Sequence, residues 1–313
     1  MYELIKKIPI PIAGLMLALA TTGNLLLPYG NLYRNIFGLL SGAILILIIT
    51  KLILFPRSLA EGFQNPVIAS VMPTLSMGIM ILSTYIKGFS PFFASFIWTI
   101  ALSLHAVLII LLTKKYMLNF NIKKVFPSYF VVYVGIVVGS VTAPAYGLAS
   151  LGQAIFWFGF VMYLALLPLV IYRVFLVKDI PEAALPTVII FAAPASLCLA
   201  GYLSSFQVKS PIIVGFLAIL GAIMVTASIM YMFKLLTIKF YPSYSAFTFP
   251  FAISTVAMKG TKSYLSSLNI ELALLDYVIG FLEIWTVAMV LYVLIRYIMF
   301  LLPEKKTALK EPQ

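Results

Sequence analysis

Leu185-Pro186-Thr187-Val188-Ile189-Ile190-Phe191-Ala192-Ala193-Pro194-Ala195-Ser196 opens a run that carries no charge through residue 204. Twenty such residues are enough to cross the hydrocarbon core of a bilayer as a helix. Two prolines stand eight residues apart in it. The first suits the opening turn of a helix, where its missing N–H is not needed. The second, in a helix interior, removes a hydrogen bond and bends the axis. In lipid the carbonyl it frees must find a neighbour or water.

The same signature recurs on both sides of this run. Ile10-Pro11-Ile12 is followed by Gly14, and Asn65-Pro66-Val67 by Pro73-Thr74. Phe126-Pro127-Ser128 is followed by Gly135 and Gly139, and Tyr241-Pro242-Ser243 by Pro250. The opening prolines at 11, 66, 127, 186 and 242 are separated by 55, 61, 59 and 56 residues, each the length of one helical hairpin. The pattern predicts an all-α integral membrane protein of ten transmembrane helices, arranged as five repeated helical hairpins. The spans are 9–28, 35–55, 66–86, 92–113, 125–143, 147–172, 185–204, 211–233, 243–265 and 273–301. The odd spans carry the breaks. The even spans are rich in Leu, Ile, Val and Met, and of these only span six has an internal proline, Pro168. Repeated broken helices point to a transport path. The reading is therefore an inner ring of odd helices lining a pore and an outer ring of even helices. It treats residues 1–302 as one pore domain and 303–313 as a short cytoplasmic tail.

Composition agrees. Of 313 residues, 63% are hydrophobic and 10% charged, and the mean hydropathy is +1.11. That leaves too little polar surface for a water-soluble globule. It also removes nucleic acid as a partner despite the net charge of +12, and a single cysteine excludes an intrachain disulfide. Lys6, Lys7, Pro9 and Pro11 at the first apolar run argue against a cleaved leader. Under the ten-span reading, 16 of the 21 basic residues fall on the side of the N-terminus. By the positive-inside rule both termini are cytoplasmic, in a multi-pass protein of the inner (plasma) membrane.

At span nine, Ser245-Ala246-Phe247-Thr248-Phe249-Pro250-Phe251-Ala252 looks like the Ala-Phe-Ser-Phe-Gly stretch of the tellurite-resistance/dicarboxylate transporter (TehA) family, which includes the slow-type anion channels of plants. The whole chain resembles that family in organisation. The resemblance implies five inner helices around a pore, a phenylalanine closing it (here Phe249) and a homotrimer with one pore per protomer. Thr248 and Pro250 stand where the family has Ser and Gly. Independently, a phenyl ring in a narrow apolar pore excludes hydrated ions by bulk and dewetting. The plainer alternative is that Phe249 packs between helices.

The pore-lining candidates are Pro11, Gly14, Pro73, Thr74, Gly135, Gly139, Pro194, Ser196, Phe247, Thr248 and Pro250. The odd spans are otherwise dotted with hydroxyls, which do not by themselves choose the sign of an ion. Helix breaks offer positive helix ends but also freed carbonyls that oppose them, so the lean toward anions comes from the net charge and the resemblance. Small inorganic or carboxylate anions are the expected partners besides the bilayer. Two titratable groups inside spans, His105 and Glu283, are possible proton-linked residues. Their plainer reading is structural: for Glu283, a hydrogen bond to a hydroxyl or to neighbours at the level of Trp285. No phosphate loop, CxxC or HExxH is present, so neither an enzyme nor a cofactor is expected. The function read from the residues and the resemblance together is a gated anion channel. The alternative is a proton-coupled transporter or exporter of C4-dicarboxylate, sulfite or tellurite oxyanions.

Overall fold

The computed structural model describes residues 2–302, so the expected tail 303–313 lies outside the described residues. Every backbone polar group in a bilayer must be satisfied within the protein, and an apolar run does this as a helix. No strand occurs among the described residues. The principal helical segments are α1 (Ile12–Leu25), α2 (Asn31–Leu54), α3 (Pro66–Ile86), α4 (Pro91–Met117) and α5, a pair of short helices (Tyr129–Tyr133 and Val137–Thr142). They continue with α6 (Ala149–Val177), α7 (Glu182–Ser205), α8 (Pro211–Leu235), α9 (Phe249–Ser267) and α10 (Ala273–Leu301). Seven of them, α2, α3, α4, α6, α7, α8 and α10, are long and apolar enough to cross a membrane. This is a multi-span membrane protein.

The segments that fall short are α1, α5 and α9, all from the proline-marked set. α1 has 14 residues, α5 is interrupted, and α9 carries Lys259 and Lys262 in its second half. A helix shielded from lipid by its neighbours does not need the same apolar length.

Burial separates two layers. The most apolar stretch of α7 is 83% buried and that of α3 is 67% buried, whereas α4 is 22% and α8 28% buried. Every residue of α1 except Asn24 is buried. The inner segments touch in the closed order α1, α3, α5, α7, α9 and back to α1. Outside them, α2 packs on α1 and α4 on α3, while α6, α8 and α10 lie in the grooves α5/α7, α7/α9 and α9/α1.

Each seam of the inner ring is hydrogen-bonded. Asn24 Nδ2 donates to Thr84 Oγ1 across α1/α3 (3.2 Å), and the Ser70 and Ser128 hydroxyls meet at 2.6 Å where α3 approaches the start of α5. Ser205 donates to the Ser140 carbonyl across α5/α7 (2.7 Å). Ser254 donates to the Ala192 carbonyl across α7/α9 (3.0 Å), and Lys259 Nζ donates to the Leu25 carbonyl across α9/α1 (3.4 Å). Such bonds contribute only about 0.6 kcal/mol each inside membranes, so they set register while packing supplies the cohesion.

The second prolines differ from the sequence expectation. They do not sit inside continuous α-helices but start new ones. Pro73 caps the helix Thr74–Ile86, and Pro194 and Pro250 occupy the first turns of Ala193–Ser205 and Phe249–Ser267. Tighter 3₁₀ turns precede the latter two, Glu182–Ala192 and Pro242–Phe247. The chain thus places each second proline where its missing N–H is harmless.

Candidate functional site

Three cavities lie between the inner segments. The near one, on the side where the inner segments begin, has a volume of about 570 Å³ and is lined by Pro11, Lys51, Glu61 and the 181–184 and 241–243 turns. The Lys51 ammonium is held there by the Lys6 carbonyl at 3.0 Å and by the Ile8 carbonyl. The central cavity is about 40 Å³, with walls drawn from α1, α3, α5, α7 and α9 together. The far cavity is about 390 Å³ and includes Thr21, Asn24, Thr84, Thr142, Ile253 and Lys259 in its wall.

Phe249 lines both the central and the far cavity, and among the described residues no other is common to the two. Its side chain is 7% exposed. A water needs about 10–15 Å³ of such space, so the central cavity holds about three waters and no hydrated ion. The far cavity, by the same measure, holds an ion with a full water shell.

The central cavity sits where the inner helices start. Gly14, Thr74, Gly135, Ala193, Pro194, Phe249 and Pro250 all line it, and each lies at or beside a helix start. Helix starts and the ends of the preceding short segments Pro66–Val71, Tyr129–Tyr133, Glu182–Ala192 and Pro242–Phe247 thus meet around a space with no charged side chain in its wall, so both ends of backbone dipoles border it. The hydroxyl of Thr74 is turned back to the Val71 carbonyl at 2.6 Å, and Ser245, beside Gly14, is the other hydroxyl-bearing residue in the wall.

Of the pore-lining candidates, Gly14, Thr74, Gly135, Pro194 and Pro250 thus come together around Phe249, and Pro11 lines the near cavity. Pro73, Gly139, Ser196, Phe247 and Thr248 line none of these three cavities. The Gly139 Cα–H faces Leu102 of α4 and Ile155 of α6, the Ser196 hydroxyl meets that of Ser254 at 3.1 Å, and Phe247 packs on Tyr244. Thr248 donates to the Ser245 carbonyl at 2.6 Å. The inner hydroxyls mostly serve the seams, and Thr21, Thr74, Thr84 and Thr142 are the threonines that reach a cavity wall among the described residues.

His105 is fully buried on the inward face of α4 and lines none of the three cavities. Its Nε2 donates to the Val132 carbonyl at 3.0 Å, because a carbonyl can only accept. Nδ1 then accepts from the Ser76 hydroxyl at 2.9 Å. The imidazole is a clamp joining α4 to α3 and α5.

Glu283 is also buried, at 8% exposure. It accepts from the Tyr29 hydroxyl at 2.7 Å and forms an ion pair with Lys259 of α9. The first of these is the hydroxyl partner that the sequence reading allowed, but Lys259 was not foreseen. The bond to Glu283 is the main cause, with burial behind it, that raises Tyr29 above the ordinary tyrosine value and keeps it a donor. Asp276, one heptad earlier, pairs with Lys262 at the surface. In the ten-span reading Lys259 falls near the end of span nine and counts only as one of the five basic residues opposite the N-terminus. The signal that locates it is the spacing Phe249, Ile253, Val256, Lys259, which runs up one side of a helix.

A family model described as voltage-dependent anion channel matches residues 8–299. The chain belongs to that family. This is the group that the sequence was found to resemble. Two curated proteins of Methanocaldococcus jannaschii, both described as uncharacterized transporters, are also similar. One is 27% identical over 71% of this chain and 71% of its own length, the other 26% identical over 76% and 74%.

Proposed function

We propose that this member of the voltage-dependent anion channel family is a gated channel for small inorganic or carboxylate anions, closed by Phe249. The observation that carries the reading is that, among the described residues, Phe249 alone lines both the 40 Å³ central cavity and the 390 Å³ far cavity. The chain crosses the membrane ten times as five hairpins, with α1, α5 and α9 completing the set. Both termini are cytoplasmic in the plasma membrane, and the near cavity opens to the cytoplasm. Rotation of the phenyl ring, or movement of the Thr248-Phe249-Pro250 turn, joins the two cavities. The net charge of +12 leans the field toward anions, and the central wall holds no charged side chain that would trap one. The family resemblance adds a homotrimer with a pore in each protomer.

His105 lies away from the three cavities with both ring nitrogens engaged, which supports a channel over a proton-coupled carrier of dicarboxylate, sulfite or tellurite. Planar-bilayer recording of purified wild type and Phe249→Ala tests the reading. The variant should carry a larger anion-selective current, as expected when a dewetted constriction is opened. An unchanged current removes Phe249 from the gate. Flux strictly coupled to a pH gradient, and uncoupled in His105→Gln, replaces the channel with the carrier.

A further inference from the structure

The far cavity contains one charged lining residue, Lys259, and its other polar walls are largely spent. Thr21 donates to the Leu17 carbonyl at 2.8 Å, Thr84 to the Ile81 carbonyl at 2.7 Å and Thr142 to the Val138 carbonyl at 2.8 Å. Asn24 is different. Its Oδ1 accepts from Arg34 Nε at 2.9 Å, which fixes the amide with its nitrogen toward Thr84. One of the two N–H groups goes to Thr84 Oγ1 and the other is left to the cavity. Arg34 reaches the Thr84 carbonyl at 3.1 Å and lies over the Tyr85 ring at 4.2 Å, and it forms no salt bridge among the described residues. Its positive charge therefore stands behind the Asn24 wall without a counter-charge.

Lys259 is balanced. Its ammonium pairs with Glu283, lies 3.4 Å from the Leu25 carbonyl and sits 5.3 Å from the centre of the Tyr29 ring. Glu283 is anchored from the other side by the Tyr29 hydroxyl. A buried carboxylate, itself outside the cavity wall, thus competes for the one cation that faces the cavity.

We propose that the far cavity is a capture site for a small hydrated anion, bound by the Lys259 ammonium and the free Asn24 amide, with Glu283 as an internal competitor that keeps the affinity low. Low affinity is what throughput requires, because conduction needs a site that an ion can leave. Arg34 is a positioning residue, acting through Asn24. This rests on the channel reading only for its role, and not for the binding itself.

Chloride binding to the full-length protein in detergent is read from the rise in melting temperature with chloride, at ionic strength held constant with gluconate. Bromide soaked into crystals locates the site by anomalous scattering. Glu283→Gln keeps the Tyr29 hydrogen bond and removes the competitor. It should lower the apparent dissociation constant about fivefold, the factor set by two unit charges 4 Å apart in water. Lys259→Gln alone leaves a buried carboxylate unpaired and risks misfolding, so the neutral pair Lys259→Gln/Glu283→Gln is the second variant. It should show no chloride-dependent shift and no bromide beside position 259. Equal dissociation constants in wild type and Glu283→Gln, or bromide bound only elsewhere, overturn the site. Flux through Phe249→Ala in liposomes separates the two ideas. Flux without binding at Lys259 rejects the capture site alone, and binding without flux rejects the channel while the site stands.

Discussion

α7 and α8 are consecutive in the chain, 24 and 25 residues long, with mean hydropathies of 2.0 and 2.6 in their most apolar stretches. Those stretches are 83% and 28% buried. α7 spends its first eleven residues as a 3₁₀ helix before becoming α-helical, whereas α8 is one α-helix from Pro211 to Leu235. The difference lies in their surroundings. Lipid offers no hydrogen bond, so α8 must satisfy itself. α7 is enclosed by protein, and its irregular half is rescued locally. Ala193 N takes up the Ile190 carbonyl that Pro194 cannot reach, and Ser254 caps the Ala192 carbonyl. Broken backbone at membrane depth survives only where protein or a cavity surrounds it.

The contrast can be broken most severely by giving α8 the break that α7 tolerates. Ile219 is 65% exposed in the middle of α8, and Ile219→Pro should destabilise the protein by more than about 3 kcal/mol, since no neighbour replaces the lost bond. Loss of the monodisperse folded peak in detergent chromatography is the expected readout. Next comes the inner wall. A Cβ on Gly135 would stand 2.1 Å from the Val131 carbonyl oxygen and 2.7 Å from Met77 Sδ, so Gly135→Ala should cost about 3 kcal/mol in thermal melts, the upper end for overpacking. His105→Leu strips the clamp between α3, α4 and α5 and leaves the Val132 carbonyl without its partner, at about 2 kcal/mol. If the channel reading is right, anion flux in the surviving protein should keep the pH dependence of wild type. On α8 a Cβ on Gly215 meets nothing within 4 Å, and Gly215→Ala should be neutral or stabilise by up to about 1 kcal/mol. The smallest effect belongs to Asp276→Asn. It removes an exposed pair with Lys262 and should change stability by less than about 1 kcal/mol, in contrast to the buried Glu283.

Much of the architecture was legible because proline is a backbone signal that burial does not alter. Pro11, Pro66, Pro127, Pro186 and Pro242 marked the inner segments, and those segments are the buried ones. The role of the second prolines was misread as a bend, since sequence cannot say whether a helix passes through Pro194 or restarts there. The hydroxyls were overcounted as pore wall. Ser196 and Thr248 look the same in sequence whether they face a cavity or a seam, and they face seams. Lys259, near the end of span nine, counts in the sequence only toward topology, because a charge near a span end is ordinarily solvated. Its partner lies on another helix, and that juxtaposition has no local trace.

The sequence alone determined that this chain lives in a membrane, that it is helical and that five of its segments are interrupted at regular intervals, because composition and proline act through solvent and backbone. Only the tertiary structure decided which way each side chain points. In a soluble helix water draws the polar face outward, but here lipid, seam and cavity all accept apolar groups, so no periodicity distinguishes them. The position of Phe249 between two cavities and the pairing of Lys259 with Glu283 follow from how the inner segments close on one another, and from nothing that any one of them carries by itself.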